Sequence, residues 1–494
     1  MKKVLWAAAI AVLLQATAAY ADESQMMELL QKMQRQMADM QSTIDRQNAR
    51  LQQLESSKVI ETPQPNAPMA PGAAGLTESD WQKGIKDNIG GADALPWMKG
   101  LKFGGDFRLR MENFDYFDKN NDAGSTGTAS DRSRNRFRIR LRYGFEKDYG
   151  DDWKVGFRMA TGSPSTSSGV ATDNTSTNVT LGNPGYFVYK NIYIDRAYAQ
   201  YSPNGLKDYG PLKGVTVGAG KFDNPFLRYS TPIVWDGDVT PEGLYETAKF
   251  QLVGEEENKL NLYGTLGQFI TNENSTLEQD AGLYGYQGAV NWSTYNFGTE
   301  TPVDFSFATS YYDYTNWTQT VGAGNTAATS YLRTNTLIAD DFRVLDLYPE
   351  IAFAVNKTPV VLWYDYATNL ANVGTDDIVG SGENDIHDQD GAWGLGLKVG
   401  KAKKKGQWEA FYGYYELGAN SVVAAFNDSD FGGTGQSGAT NRKGSKFGFT
   451  YQLTDNIQVN WTGYVVQTLN PNTAVGSSTN EHVFRSQADL LYKF

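Results

Sequence analysis

A period of two most constrains this chain. The stretch RNRFRIRLRYGFE, Arg134 to Glu146, sets arginine at 134, 136, 138, 140 and 142, with Phe137, Ile139, Leu141, Tyr143 and Phe145 between them. Successive side chains of a strand leave opposite faces, so one face is apolar and the other strongly cationic. In a lone strand of a soluble sandwich the cationic face would meet water and the apolar face a core. The rest of the chain decides between that arrangement and a wall between lipid and water.

The alternation recurs from Gly100 to the end. Leu101, Phe103, Phe107, Leu109 and Met111 alternate with Lys102, Asp106, Arg108, Arg110 and Glu112. Trp153, Val155, Phe157 and Met159 alternate with Lys154, Gly156 and Arg158, and similar segments lie at 393–399, 446–453 and 457–465. Each is about ten residues long, the length of a tilted strand crossing a bilayer. The connections come in two sizes. Short polar turns at 147–152, 254–258, 356–359, 401–406 and 454–456 alternate with long Gly/Ser/Asn/Asp/Thr loops near 115–133, 163–188, 223–242, 314–343, 370–387, 418–442 and 469–481. A sandwich has no reason to sort its loops this way. An outer-membrane barrel does, with short turns toward the periplasm and long loops outside. The expected fold is an all-β transmembrane barrel of about sixteen antiparallel strands, wide enough for a water-filled lumen. The apolar face of the opening stretch then meets lipid, and its arginines face water.

The two ends agree. MKKVLWAAAIAVLLQATAAYADE has a basic start at Lys2 and Lys3, a short apolar core and an Ala19-Tyr20-Ala21 cleavage site, so residues 1–21 read as a signal peptide. The chain ends in LLYKF, with Leu490, Tyr492 and Phe494 on one face and Arg485, Gln487, Asp489, Leu491 and Lys493 on the other. A terminal phenylalanine preceded by alternating apolar residues resembles the assembly signal read by the barrel-assembly machinery. Cysteine is absent, which excludes disulfides, CxxCH haem attachment and thiolate metal sites. A net charge of −12 argues against a nucleic-acid partner.

Between signal and barrel the composition changes. From residue 22 to 58 there is almost no glycine, proline or β-branched residue. Met26, Leu30, Met33, Met37, Met40, Ile44, Leu51 and Leu54 recur at spacings of three, four and seven, with Gln47 the polar member of the stripe. This predicts an α-helical coiled coil of about four heptads in the periplasm, associating with copies of itself, by analogy three, or with a cell-wall or periplasmic partner. Residues 59–99 hold a Pro-rich linker, ETPQPNAPMAPGAAG, and a short periplasmic element. The barrel occupies 100–494.

Three stretches carry a family resemblance: GDFRLRMENF at 105–114 with the arginine-rich strand after it, WDGDVTPEGL at 235–244, and FNDSDFGG at 426–433 running on through KGSKFGFTYQLTDN at 443–456. Together they resemble a bacterial porin family. The first alone is shared with alginate-type exporters. The resemblance implies an outer-membrane location amid lipid and lipopolysaccharide, and passive diffusion of small hydrophilic solutes or ions, with no assigned solute. A barrel sheath for a porin–cytochrome electron conduit and a polysaccharide exporter stand as alternatives. The sheath would need a partner's haem, and the exporter a wider, continuously basic lumen.

The candidate site is the wall itself. Arg108, Arg110, Arg136, Arg138, Arg140 and Arg142 fall on two consecutive strands, with Arg158 on the next. Like charges so placed repel unless water, anions or carboxylates relieve them. The third long loop carries Arg228, Asp236, Asp238 and Glu242; in porins of known type that loop folds inward. Two readings follow. The acidic loop could face the wall and set a transverse field and a weak anion preference, or Asp106, Glu112 and Glu146 could neutralise the wall locally and leave it structural. Neither enzyme chemistry nor a cofactor is expected, because His387 and His482 accompany no nucleophile motif. No metal site is expected either. DKNNDAGSTG at 118–127 has a displaced glycine and no glutamate at the twelfth position, and it reads, with DIHDQDG and NDSD, as solvated loop.

Overall fold

The computed structural model describes residues 100–116, 133–162, 174–183, 185–227, 231–255, 258–273, 280–295, 301–317, 335, 341–371, 389–431, 440–470 and 482–494. The expected signal peptide, coiled coil and linker element lie outside the described residues.

The strands are β1 (Leu101–Tyr116), β2 (Arg134–Tyr149), β3 (Trp153–Gly162), β4 (Val179–Thr180), β5 (Asn191–Tyr201), β6 (Leu212–Lys221), β7 (Glu242–Glu255), β8 (Asn258–Asn272) and β9 (Ala281–Thr294). They continue as β10 (Val303–Thr315), β11 (Phe342–Val355), β12 (Thr358–Asn369), β13 (Gly391–Gly400), β14 (Trp408–Leu417), β15 (Arg442–Gln452), β16 (Ile457–Thr468) and β17 (His482–Lys493). Apart from the two-residue β4, each pairs antiparallel with its neighbours in chain order, and β1 pairs with β17. The result is a closed barrel of sixteen antiparallel strands, which leaves no sheet edge and satisfies the backbone without water. The closure continues to the last residue: Gly105 N–H donates to the Phe494 carbonyl at 3.0 Å, and Phe494 N–H donates back at 3.1 Å. β4 pairs with Arg138 and Ile139 of β2 beyond the end of β3, so Val179 and Thr180 extend the sheet there.

Long and short connections alternate, and each set gathers at one end. The turn between β11 and β12 is two residues, Asn356 and Lys357, both at positive φ (48° and 67°), the conformation that matches strand twist in a tight hairpin. Single-residue register shifts interrupt the β3–β5, β6–β7, β7–β8 and β8–β9 ladders, and a wider gap lies between β11 and β12. The β11–β12 pairing skips Tyr348 and Pro349, since proline has no N–H to donate.

The two faces divide as the alternation predicts. Phe103, Phe107, Leu109, Phe137 and Tyr143 are exposed outward, while Asp106, Arg110, Glu112, Arg138 and Arg140 are buried inward. Aromatic pairs flank the short-turn end, Trp153 on Tyr201 and Trp408 on Phe449, as at the rim of a membrane barrel. The interior is not an empty tube. The described parts of the connections at 222–241 (loop 3) and 418–441 (loop 7, with the β8–β9 connection counted as the fourth) fold in, and Ile233, Trp235, Val422, Val423, Ala425 and Phe431 pack there with inward aromatics such as Tyr312, Tyr314, Phe342 and Tyr415.

Candidate functional site: a charged wall and two inward loops

Antiparallel register sets the wall. Arg142 faces Asp106, Arg140 faces Arg108, Arg138 faces Arg110, and Arg136 faces Glu112 across β1 and β2. Barrel closure brings β17 to the other side of β1, so Asp489 stands beside Arg110 and Gln487 beside Glu112. Three rows of side chains therefore interleave.

Carboxylates pair with most of the guanidiniums. Arg110 donates to both oxygens of Asp489, at 2.7 and 2.8 Å, a fork geometry specific to arginine. Asp106 accepts from Arg140 at 2.9 Å and from Arg142 at 2.7 Å. Glu112, fully buried, accepts from Arg485 at 2.8 Å, from Gln487 at 2.9 Å and from Arg136. The guanidiniums of Arg136 and Arg485 lie over the ring of Phe114. Arg158 pairs with Asp195 on β5 and stands apart from the rows.

Loops 3 and 7 dock on this wall. Asp238 reaches Arg142 at 3.2 Å and Arg140 at 3.9 Å. Asp430 reaches Arg485 at 2.6 Å and Arg110 at 3.2 Å, and Asp428 binds Lys446 of β15 at 2.7 Å. The loops hold each other as well. Asp236 N–H donates to the Phe426 carbonyl at 2.7 Å, Ser429 N–H donates to the Asp236 carboxylate at 3.3 Å, and the rings of Trp235 and Phe426 stack 5.6 Å apart. Asn174 of the second loop donates to the Ala425 carbonyl at 2.9 Å. Burial, then the negative charges of Asp428 and Asp238, pushes the Asp236 carboxyl well above its ordinary range. Burial would raise Asp430 too, but Arg485 and Arg110 outweigh it and hold that carboxyl well below.

Two cavities lie beside the inward loops. One, of about 670 Å³, lies among Asn174, Ser176, Asp195, Lys221, Trp235 and Asp238. The other, about 580 Å³, is lined on one side by Arg108, Arg110 and Arg140 and elsewhere by Trp363, Phe411 and Tyr464. Ser176, Trp235 and Asp238 line both, so the cavities adjoin across these side chains of the second and third loops.

The structure places Arg108, Arg110, Arg136, Arg138, Arg140 and Arg142 together on the inner face. The loop carboxylates correct the expected geometry. Asp238 touches the wall rather than facing it across a gap, and Asp236 turns to loop 7. Glu242 is not part of the contact: it already belongs to β7, where it takes Lys221 at 2.8 Å. Arg228 lies outside the described residues. Glu146, expected among the neutralising groups, sits further down β2 and meets Lys154 and the Tyr198 hydroxyl instead. Leu490, Tyr492 and Phe494 are exposed on the outer face. Sequence reasoning missed Arg485, Gln487 and Asp489 as wall members, because only closure makes the last strand a neighbour of the first. It also missed Asp428 and Asp430, whose carboxylates face protein cations. The signal for loop 7 was present: the run SVVAAF at 421–426 is too apolar for a solvated loop.

Residues 81–337 and 325–467 match the family described as "Putative porin". The chain belongs to that family. It is therefore a channel-type barrel of the outer membrane and not an enzyme. No curated protein matches the sequence. Similar solved structures include Salmonella typhi OmpF in complex with daunomycin, at 11% identity and TM-score 0.42, covering 80% of this chain and 98% of that one. Pseudomonas putida OprB, in a high-pH structure, shows 10% identity and TM-score 0.45, with 82% and 97% covered. A mutant Rh. blastica porin shows 10% identity and TM-score 0.37, with 80% and 100% covered.

Proposed function

We propose that this porin forms a water-filled channel for passive diffusion of small hydrophilic solutes and ions, with a weak preference for anions. The observation that carries this is the pair of adjoining cavities beside a guanidinium wall inside a closed barrel. The preference is weak because Asp106, Glu112, Asp238, Asp430 and Asp489 offset most of the wall's charge, and it arises from the guanidiniums left without a hydrogen-bonded carboxylate. Loops 3 and 7 occupy the lumen, which weighs against a polymer exporter or a sheath around a cytochrome. The long loops face outside and the short turns the periplasm. Three copies associate through the stripe from Met26 to Leu54, which also offers a surface to a cell-wall partner, while Leu490, Tyr492 and Phe494 serve recognition by the assembly machinery.

Purified protein in planar bilayers tests the reading. Stepwise, ohmic conductance with a reversal potential on the anion side in dilute KCl is expected. Protein that is folded and inserted yet passes no current overturns it.

A further inference from the structure

We infer that the inner chamber is a binding site for small monocarboxylates carrying a planar apolar body, with Arg108 as the recognising cation. This deepens the channel reading and rests on it.

Arg108 differs from its neighbours in the chamber. Arg110 and Arg140 each donate to a carboxylate within 2.9 Å. Arg108 donates instead to a neutral amide, Asn178 Oδ1 at 2.6 Å, and its nearest carboxylate oxygen, on Asp489, stands 3.8 Å away. Its Nε is buried without a partner among the described residues. Arg140 lies directly across the ladder and Arg110 two residues along the strand. A guanidinium that lines a cavity between two others, with no carboxylate hydrogen-bonded to it, is satisfied by an anion that brings paired oxygens.

The rest of the chamber favours an apolar body. Trp363 and Phe411 lie flat on the inner face of the barrel because the residues beneath them are glycines. A Cβ on Gly396 would come within 2.1 Å of the Trp363 ring, and one on Gly448 within 2.6 Å of Phe411. Flat rings leave a smooth wall that stacks on another planar group. The volume of about 580 Å³ suits one small ring and water. Glu350 and Glu409 also line the chamber, with Lys398 near them and Lys446 already paired with Asp428, so a second negative charge on the solute gains no free partner there, which favours monoanions.

The test uses the full-chain protein in planar bilayers with sodium benzoate added to KCl. Benzoate should reduce conductance reversibly in the millimolar range, while acetate, gluconate and benzyl alcohol should not. Arg108→Gln should raise the half-blocking concentration about tenfold, the loss of one charge-assisted contact. Asn178→Asp, on a loop and without loss of the arginine, supplies an internal carboxylate and should weaken the block as much. Phe411→Leu should weaken block by benzoate alone. Folding of each variant is read from heat-shifted migration on gels. Benzoate block unchanged in both Arg108→Gln and Asn178→Asp overturns the site. Gluconate or acetate blocking as well as benzoate overturns the apolar part. Absence of wild-type conductance is a different failure, that of the channel reading itself.

Discussion

Glu112 shows how one residue holds the wall together. It is fully buried and accepts from Arg136 on β2 and from Arg485 and Gln487 on β17, the strands on either side of β1. Removing one member of a buried ionic cluster leaves the others charged and unpaired. Glu112→Gln should therefore cost about 3–5 kcal/mol, read as a lower urea midpoint of Trp fluorescence in detergent. Lys102→Gln removes only an exposed pair with Asp148, and its effect should stay under about 1 kcal/mol. Equal effects of the two would mean that the wall contributes little to the fold. Gly396 is the opposite kind of residue, present for what it lacks. Gly396→Ala forces the Trp363 ring off the wall and into the chamber, and should cost about 1–3 kcal/mol in the same assay.

Among elements, loop 7 departs most from its apparent character. Gly, Asn and Asp at 418–442 suggest a solvated outer loop, yet Asn420, Ser421, Val422, Ala424 and Phe431 are buried. The loop anchors at two places, on Lys446 through Asp428 and on the wall through Asp430. Replacing 420–430 by a short Gly/Ser linker should leave a closed barrel, because every ladder bond lies in the strands. It should also raise single-channel conductance about threefold, since side chains that fill the lumen are gone. Unchanged conductance would place the current elsewhere. The strands were legible because membrane and water impose a period of two on every one of them. The loop was not, because its burial depends on partners from β10, β11 and β14 that no local pattern names.

At the scale of the whole molecule, the closed ladder predicts resistance to detergent. Unboiled and boiled samples should migrate differently on a gel, and identical migration would contradict the barrel. Net charge is a poor guide to the pore. The chain carries −12, but the passage runs beside a wall whose charges nearly balance. Anion preference should be measurable near 0.01 M salt, where screening reaches about 30 Å, and vanish near 1 M, where it reaches about 3 Å. Replacing Arg136, Arg138 and Arg140 together by Gln leaves Asp106 only Arg142 and Glu112 only Arg485, and reversal potentials should then move to the cation side. Deleting Asp22 to Ser57 should reduce cross-linked oligomer without loss of heat-shifted migration. The same cross-linked species in both proteins would assign the segment another role.

What the sequence by itself determined is local and periodic: which residues alternate, which face is apolar, which connections are long, and hence a barrel of about sixteen strands. It also exposed the arginine rows, because they share strands with the apolar face. Only the tertiary structure decided what those arginines meet. Asp489 and Arg485 lie more than 370 residues from Arg110 and Glu112 and reach them through closure of the barrel. Asp238 and Asp430 reach the wall through loops held inward by aromatic partners on distant strands, Trp235 against Tyr312 and Phe431 against Tyr415. Pairing of charges is a property of distance in space, and a pattern read along one chain measures only distance along it.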